Sequence, residues 1–75
     1  MQERGGEKMT DKNLLMYYMA KKNLNNNGLA RVLGISVSSL YRKKSGISDF
    51  TRNEIQTIKK ELDLNGEEVM RIFFN

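Results

Sequence analysis

The stretch from Asn25 to Gly46, NNNGLARVLGISVSSLYRKKSG, carries the strongest structural signals in the sequence. It opens on asparagine, whose side chain accepts hydrogen bonds from the free backbone N–H groups at a helix start. Leu29 and Leu33 are four positions apart, so they lie on one face of a helix. Gly34 follows them, at the place where helices often end in a left-handed residue. These features predict a helix over residues 26–33.

A second short helix follows after a sharp turn. Ser36 is another capping residue type, and Leu40 is the residue that points inward from the helix predicted over residues 37–44. Ile35 lies in the turn, where an apolar side chain can fill the space between the two helices. Two helices joined by a short turn that contains glycine form the helix-turn-helix unit, whose second helix enters the major groove of DNA.

The spacing of these residue types also carries a family resemblance. The pattern L-A-x-x-L-G-I-S-x-x-x-L, from Leu29 to Leu40, resembles the helix-turn-helix of phage repressor and Cro-type proteins, the XRE-like group. The segment SLYRKKSG, residues 39–46, resembles the end of their recognition helix and its exit loop. In one departure, this chain has Lys44 where relatives often carry leucine.

The resemblance implies both a fold and a function. The implied fold is all-α, a single compact five-helix domain of the lambda-repressor-like, helix-turn-helix type. The implied function is sequence-specific binding of duplex DNA as a transcriptional repressor or Cro-like regulator. The resemblance also implies a phage or mobile-element origin.

The composition limits the chemistry that the chain can perform. Its 75 residues fit one domain, and they include no cysteine and no histidine. The chain therefore lacks thiolate metal ligands, a thiol nucleophile and the commonest general base. No glycine-rich phosphate loop stands out, and no pair of carboxylates lies apart from helix caps. We expect no enzymatic activity, no metal and no cofactor.

The same features bear on location. Zero cysteine fits a reducing compartment, so we expect the cytoplasm, and the resemblance to phage repressors implies that of a bacterial host cell. No apolar run approaches the length of a membrane span, and the N-terminus is too polar for a signal peptide, so we expect no membrane partner.

Positive charge is concentrated on the predicted helix-turn-helix and its borders. The chain has a formal net charge of +4. Residues 21–52 hold seven basic side chains and one acidic side chain, a net charge of +6. Residues 1–20 are balanced, and residues 53–75 have a net charge of −2. A basic patch in this position is the electrostatic signature of nucleic-acid binding, although a solvated basic face would show the same charge.

The N-terminal part completes the predicted domain on one side. Residues 1–9 show no apolar pattern, and we expect a flexible tail there, with an arm for the DNA minor groove as the alternative. The DNA-binding domain then covers residues 10–75. Thr10 or Asp11 can cap a first helix that runs to about Lys22.

Two capping-box patterns predict the last two helices. The residues Thr51–Glu54 have the capping-box spacing and open a helix that runs to about Leu62. The residues Asn65–Glu68 open the fifth helix in the same manner. The exit loop before the fourth helix needs an apolar anchor, which is either Ile47 or Phe50.

The third helix presents the residues expected to read DNA. Arginine can bond both O6 and N7 of guanine, and an apolar side chain such as valine can touch a thymine methyl group. At about 100° per residue, suitable side chains share one face of this helix. The predicted base contacts are Val37, Ser38, Tyr41 and Arg42.

Further residues are expected to hold the DNA backbone. A helix N-terminus is a ready phosphate site, and in related repressors the start of the second helix approaches the DNA backbone at the position of Asn26. The predicted phosphate contacts are Asn26, Ser39, Lys43 and Lys44. For Lys44 the alternative is that its carbon stem packs over the core.

The fifth helix has more apolar surface than one small core needs. Val69, Ile72 and Phe73 form one stripe, and Met70 and Phe74 form a second beside it. Because one helix-turn-helix reads only a few base pairs, relatives bind as two-fold dimers. We expect a homodimer, at least on DNA, a palindromic operator, and dimer contacts from Met70, Phe73 and Phe74. The alternative is that Phe73 packs inward, that Met70 and Phe74 cover the end of the first helix, and that the protein stays monomeric until DNA brings two copies together.

Two other functions are compatible with the sequence. A DNA-binding antitoxin or antirepressor would grip a protein partner in addition to DNA. A pure protein–protein interaction module would bind no DNA at all. Binding to random duplex that weakens with added salt separates the DNA-binding functions from such a module.

Overall fold

The computed structural model describes residues 10–74, which contain five α-helices and no β-strand. The helices are α1 (Lys12–Lys21), α2 (Asn26–Leu33), α3 (Val37–Lys44), α4 (Arg52–Glu61) and α5 (Gly66–Phe73). The tail predicted for residues 1–9 lies outside the described residues. Within the described range, no helix is long and apolar enough to cross a membrane.

Each helix begins at a side chain that accepts a backbone N–H. Asp11 caps α1 by accepting the N–H of Leu14, which decides between Thr10 and Asp11. The other caps are Asn25, Ser36, Thr51 and Asn65. At α4 and α5 a glutamate three residues later accepts the N–H of the cap residue in return, so both predicted capping boxes are present.

Four of the helices end in a Schellman motif. In this motif a left-handed residue follows the helix, and the N–H of the next residue bonds the carbonyl five positions earlier. The left-handed residues are Asn23, Gly34, Gly46 and Asp63. The residues whose N–H groups close the turns are Leu24, Ile35, Ile47 and Leu64. The sequence predicted the role of Gly34, but not those of the asparagine and the aspartate, which also tolerate this conformation.

Three of the four closing residues pack onto the core. Leu64 is buried, and Leu24 and Ile35 are partly buried against the core. Ile47 is the exception, because its side chain is 75% exposed. Phe50 is buried and therefore anchors the exit loop, which decides between the two residues that the sequence left open.

The core takes one fully buried side chain from each helix. These side chains belong to Leu15, Leu29, Leu40, Ile58 and Ile72. Around them α2 packs against α3 and α4, and α5 packs against α1 and α4. The rings of Phe50 and Phe73 meet edge to face, with centroids 5.3 Å apart. The predicted all-α, five-helix domain is confirmed.

The burial of Phe73 narrows the predicted dimer surface. This side chain packs inward, as the alternative from the sequence had it, so it has almost no surface to offer another molecule. Met70 is exposed on α5 and Phe74 is exposed directly after its last residue, and they are the predicted dimer contacts that a second copy can reach.

Candidate nucleic-acid interface

The turn between α2 and α3 determines which face of α3 is exposed. Gly34 is left-handed, with a φ of 72°, and Ile35 packs between the helices as a partly buried side chain. The Ser36 hydroxyl accepts the N–H of Ser39 and donates to the half-buried Ser39 hydroxyl. Leu40 is completely buried, so the opposite face of α3 is turned to solvent.

That outer face exposes all four predicted base-contact residues. Tyr41 is 64% exposed, and Val37, Ser38 and Arg42 are exposed as well. Together they offer an aromatic ring with a hydroxyl, an apolar side chain, a small hydroxyl and a guanidinium. Each of these groups has a partner on the base edges of the major groove.

The N-terminus of α2 has the form of an anion site. The Asn25 side chain accepts the N–H of Gly28, and Leu29 donates its N–H to the Asn25 carbonyl. The N–H groups of Asn26 and Asn27 come before this first intrahelical bond and lie at the positive end of the helix dipole. N–H groups in this position bind phosphate oxygens.

Lys44 brings a buried positive charge to the same helix end. Its side chain is only 5% exposed, and its Nζ donates to Oδ1 of Asn26 at 2.7 Å. Burial lowers the pKa of Lys44, and the positive charge of Lys12 lowers it further. Among residues 10–74 no carboxylate forms a salt bridge with it. The carbon stem thus packs in the core while the ammonium reaches the start of α2.

Lys43 has partners within the chain. Its Nζ lies 3.1 Å from Oε1 of Glu54 and donates to the Asp49 carbonyl at 3.0 Å. Burial alone would raise the pKa of Glu54, but the N–H of Thr51 and the ammonium of Lys43 outweigh it, so this pKa is lowered. Lys43 therefore links the end of α3 to the exit loop and to the first turn of α4. To contact a DNA phosphate, the ammonium of Lys43 would have to leave Glu54 or bind Glu54 and the phosphate at the same time.

The structure adds two features that the sequence did not predict. Asn26 and Lys44 touch, although 18 positions separate them in the chain. The available signal was a lysine at a position where the resemblance to Cro-type proteins favours leucine, because a charge brought into a core needs a polar partner. The second feature is the exposure of Ile47 at the end of α3, and no spacing in the sequence distinguishes it from the apolar residues that close the other helix ends.

A comparison with protein-family models agrees with this architecture. The model of the Cro/C1-type HTH DNA-binding domain matches residues 15–74, which span most of α1 and all of α2 to α5. The chain belongs to this family of DNA-binding domains, as its resemblance to Cro-type proteins predicted. Comparisons with curated proteins and with solved structures gave no match.

Proposed function

We propose that the protein binds a specific sequence in duplex DNA and acts as a transcriptional repressor or Cro-like regulator of a phage or mobile element. The observation that carries this proposal is the two-sided character of α3. Leu40 is fully buried on one side, while Val37, Tyr41 and Arg42 are exposed on the other. The exposed side chains make little contribution to the monomer core, and the major groove supplies partners for each of them.

The spacing of these side chains along α3 supports contacts to different base pairs. Val37 and Arg42 are five residues apart, which corresponds to about 7.5 Å along a helix axis. Base pairs stack about 3.4 Å apart, so an α3 that lies in the major groove would bring the two side chains to bases at most about two steps apart. Arg42 pairs with a guanine, and Val37 touches a thymine methyl group. Ser38 and Tyr41 bond base edges between them.

The N-terminus of α2 holds a phosphate of the DNA backbone. Asn26 and Asn27 offer backbone N–H groups there. The positively charged ammonium of Lys44 donates a hydrogen bond to the side chain of Asn26 and so lies close to these groups. This charge destabilises the protein by itself, because it is buried and is repelled by the positive charge of Lys12. A phosphate at this place would offset both costs, which supports the assignment of Asn26 and Lys44 to the DNA backbone.

The other two predicted phosphate contacts have smaller roles in this proposal. Ser39 is half-buried next to the cap of α3, where its hydroxyl can turn toward a phosphate at the groove edge. Lys43 reaches a phosphate only when it leaves Glu54, so its main contribution is to hold the exit loop.

A homodimer on a palindromic operator completes the proposal. One recognition helix contacts too few base pairs for a useful preference among genomic sites. Met70 on α5 and Phe74 directly after it supply an exposed apolar strip, and a two-fold interface uses such a strip twice. The recognition helices of the two copies would then lie about 34 Å apart, one turn of DNA.

The proposal is tested by selecting bound duplexes from a random pool with the purified chain. The selected and a scrambled duplex are then titrated at two salt concentrations. We expect a consensus of two inverted half-sites and affinities that fall as salt rises, because bound phosphates release counterions. Failure to bind any duplex at low salt would contradict the proposal and favour a protein-interaction module. Salt-sensitive binding without a consensus sequence would show that the protein binds DNA but does not recognise a specific sequence.

A further inference from the structure

The end of α3 differs from the other Schellman helix ends in the placement of its apolar residue. At the ends of α1, α2 and α4, the equivalent residues Leu24, Ile35 and Leu64 pack onto the core. At the end of α3, Ile47 is 75% exposed, the largest exposure of a large hydrophobic side chain in residues 10–74. Phe50 makes the core contact for this loop. Stability of the monomer therefore does not explain an isoleucine at this position.

The backbone places Ile47 beside the C-terminal half of α3, next to Tyr41 and Arg42. The N–H groups of Ile47 and Ser48 both bond the carbonyl of Arg42, at 3.0 and 3.2 Å. A Schellman motif brings the residue after the left-handed glycine alongside the third and fourth residues from the helix end. In α3 these are Arg42 and Tyr41. Ile47 is therefore adjacent to Tyr41 and Arg42 and belongs to the same exposed surface.

The exit turn is held on several sides. Gly46 adopts the left-handed conformation, with a φ of 87°, and its N–H bonds the carbonyl of Lys43. The Lys43 side chain bonds the carbonyl of Asp49, and the next residue, Phe50, is buried. Little ordering is therefore needed for Ile47 to contact a partner, which reduces the entropy cost of that contact.

The charges around the turn favour DNA over a second copy as the partner. Arg42 precedes the turn and Arg52 follows it, and the acidic side chain between them is that of Asp49. The charge of Lys43 is balanced by Glu54, so these five side chains keep a net charge of +1. In a two-fold contact each copy would bring the same net positive charge, and the two copies would repel each other there. Duplex DNA brings phosphates instead, and its major groove exposes one apolar group, the C5-methyl of thymine.

We infer that Ile47 contacts the C5-methyl group of a thymine and so extends the recognition surface beyond the last residue of α3. This inference rests on the proposed function, because it adds a specificity-determining residue to the same interface. The thymine lies next to the base pair that Arg42 reads, at the edge of each half-site.

The test measures DNA binding after removal of the thymine methyl group, of the Ile47 side chain, and of both. Each thymine of the selected operator is replaced in turn by deoxyuridine, and binding is measured for the parent, Ile47→Ala, Ile47→Val and the control Met16→Ala. At one position we expect deoxyuridine to weaken parent binding by about fourfold, the effect of one buried methyl. Ile47→Ala should lose most of that sensitivity, whereas Ile47→Val and Met16→Ala should keep it.

Several results would overturn the inference, and each is distinct from a failure of DNA binding itself. If Ile47→Ala weakens binding equally on thymine and deoxyuridine duplexes, the side chain contacts the sugar–phosphate backbone. If it lowers only the cooperativity between half-sites, its partner is a second copy of the chain. If the parent binds no duplex at low salt, the proposed function fails first. Circular dichroism of each variant excludes misfolding as the cause.

Discussion

The ammonium of Lys44 lies 2.7 Å from the side-chain oxygen of Asn26, and this hydrogen bond joins the last residue of α3 to the first residue of α2. The recognition helix is thereby connected to the helix whose N-terminus holds a phosphate in the proposed complex. The buried charge of Lys44 has two opposite effects. It lowers the stability of the free protein, but it would strengthen the binding of a DNA phosphate. Removing the charge should therefore change folding and DNA binding in opposite directions.

Lys44→Met should raise the free energy of unfolding at neutral pH by about 1 kcal/mol, since methionine keeps the packing of the stem and removes the desolvated charge. The pKa of Lys44 is lowered from 10.5, so the charge penalty is full below that lowered pKa and fades as the pH rises through it. Urea denaturation at pH 7 and about pH 10 should show that the free energies of unfolding of the parent and the variant differ less at the higher pH. An equal gap at both pH values would contradict this cause.

The same variant should bind DNA more weakly. Lys44→Met should weaken binding to all duplexes alike and reduce the slope of log affinity against log salt by about one unit, as expected for one lost phosphate contact. Lys60→Met is the matched control, because Lys60 is exposed on α4, away from the proposed interface. If the slope of Lys44→Met equals that of the control, Lys44 serves packing alone.

Arg42 should determine one base pair of the operator. Arg42→Ala should cost about 1–3 kcal/mol on the selected duplex and relax the preference at a single position, because a bidentate contact to guanine is lost. Affinities for operators with each base at that position would be compared between the parent and the variant. Arg71→Ala provides the control, since Arg71 is exposed on α5 and pairs with Glu67. An equal loss on every duplex would make Arg42 a phosphate contact.

Helix starts were predictable from the sequence because they depend on local chemistry. Asn25, Ser36, Thr51 and Asn65 each accept the N–H of a residue three positions on, so residue type and spacing suffice to identify them. The inward position of Leu40 follows from helical periodicity in the same way. The positions of α2 and α3 in the sequence, and the side of α3 that carries its apolar residue, follow from such local rules.

Contacts between distant parts of the chain could not be predicted in this way. The bond between Lys44 and Asn26 depends on the angle at which α2 and α3 pack, and no local pattern encodes that angle. Lys43 was expected at a phosphate, but its neighbours in space include Glu54, which belongs to the next helix. Ile47 and Phe50 were equal candidates for the loop anchor until the position of Phe73 decided between them.

The link between Lys43 and Glu54 should make the protein sensitive to acid. The pKa of Glu54 is lowered from 4.5, so its stabilising contribution is complete above that value and is lost as the pH falls through the lowered pKa. Glu54→Gln can still accept the N–H of Thr51, but it cannot form the ion pair. We expect the variant to cost about 0.5–1 kcal/mol at pH 7 and less in acid.

Urea denaturation at pH 7 and at about pH 3 measures this difference. The control is Glu67→Gln, which removes an exposed ion pair to Arg71 and should change stability little at either pH. A Glu54→Gln protein that loses as much stability on acidification as the parent would show that other carboxylates cause the acid sensitivity.

The apolar strip on α5 should hold two copies together on the operator. Met70 is 57% exposed, so Met70→Lys leaves the core intact. Methionine and lysine have similar helix propensities, so the main effect of the substitution is to place a charge on the proposed contact. Around a two-fold axis the variant brings two such charges near each other, because both copies present the same strip. We expect the variant to lose the concentration-dependent dimer in sedimentation and to bind the two half-sites without cooperativity. Its affinity for a single half-site should be unchanged.

Met16→Lys is the matched control for this prediction. Met16 is 49% exposed on α1, so the same charge is introduced at a similar exposure on a different helix. The control should dimerise and bind the full operator as the parent does. If both variants behave like the parent, α5 is not the interface, and DNA alone brings the two copies together. If both lose cooperativity, the contact extends over α1 as well, and the strip formed by Met70 and Phe74 is only a part of it.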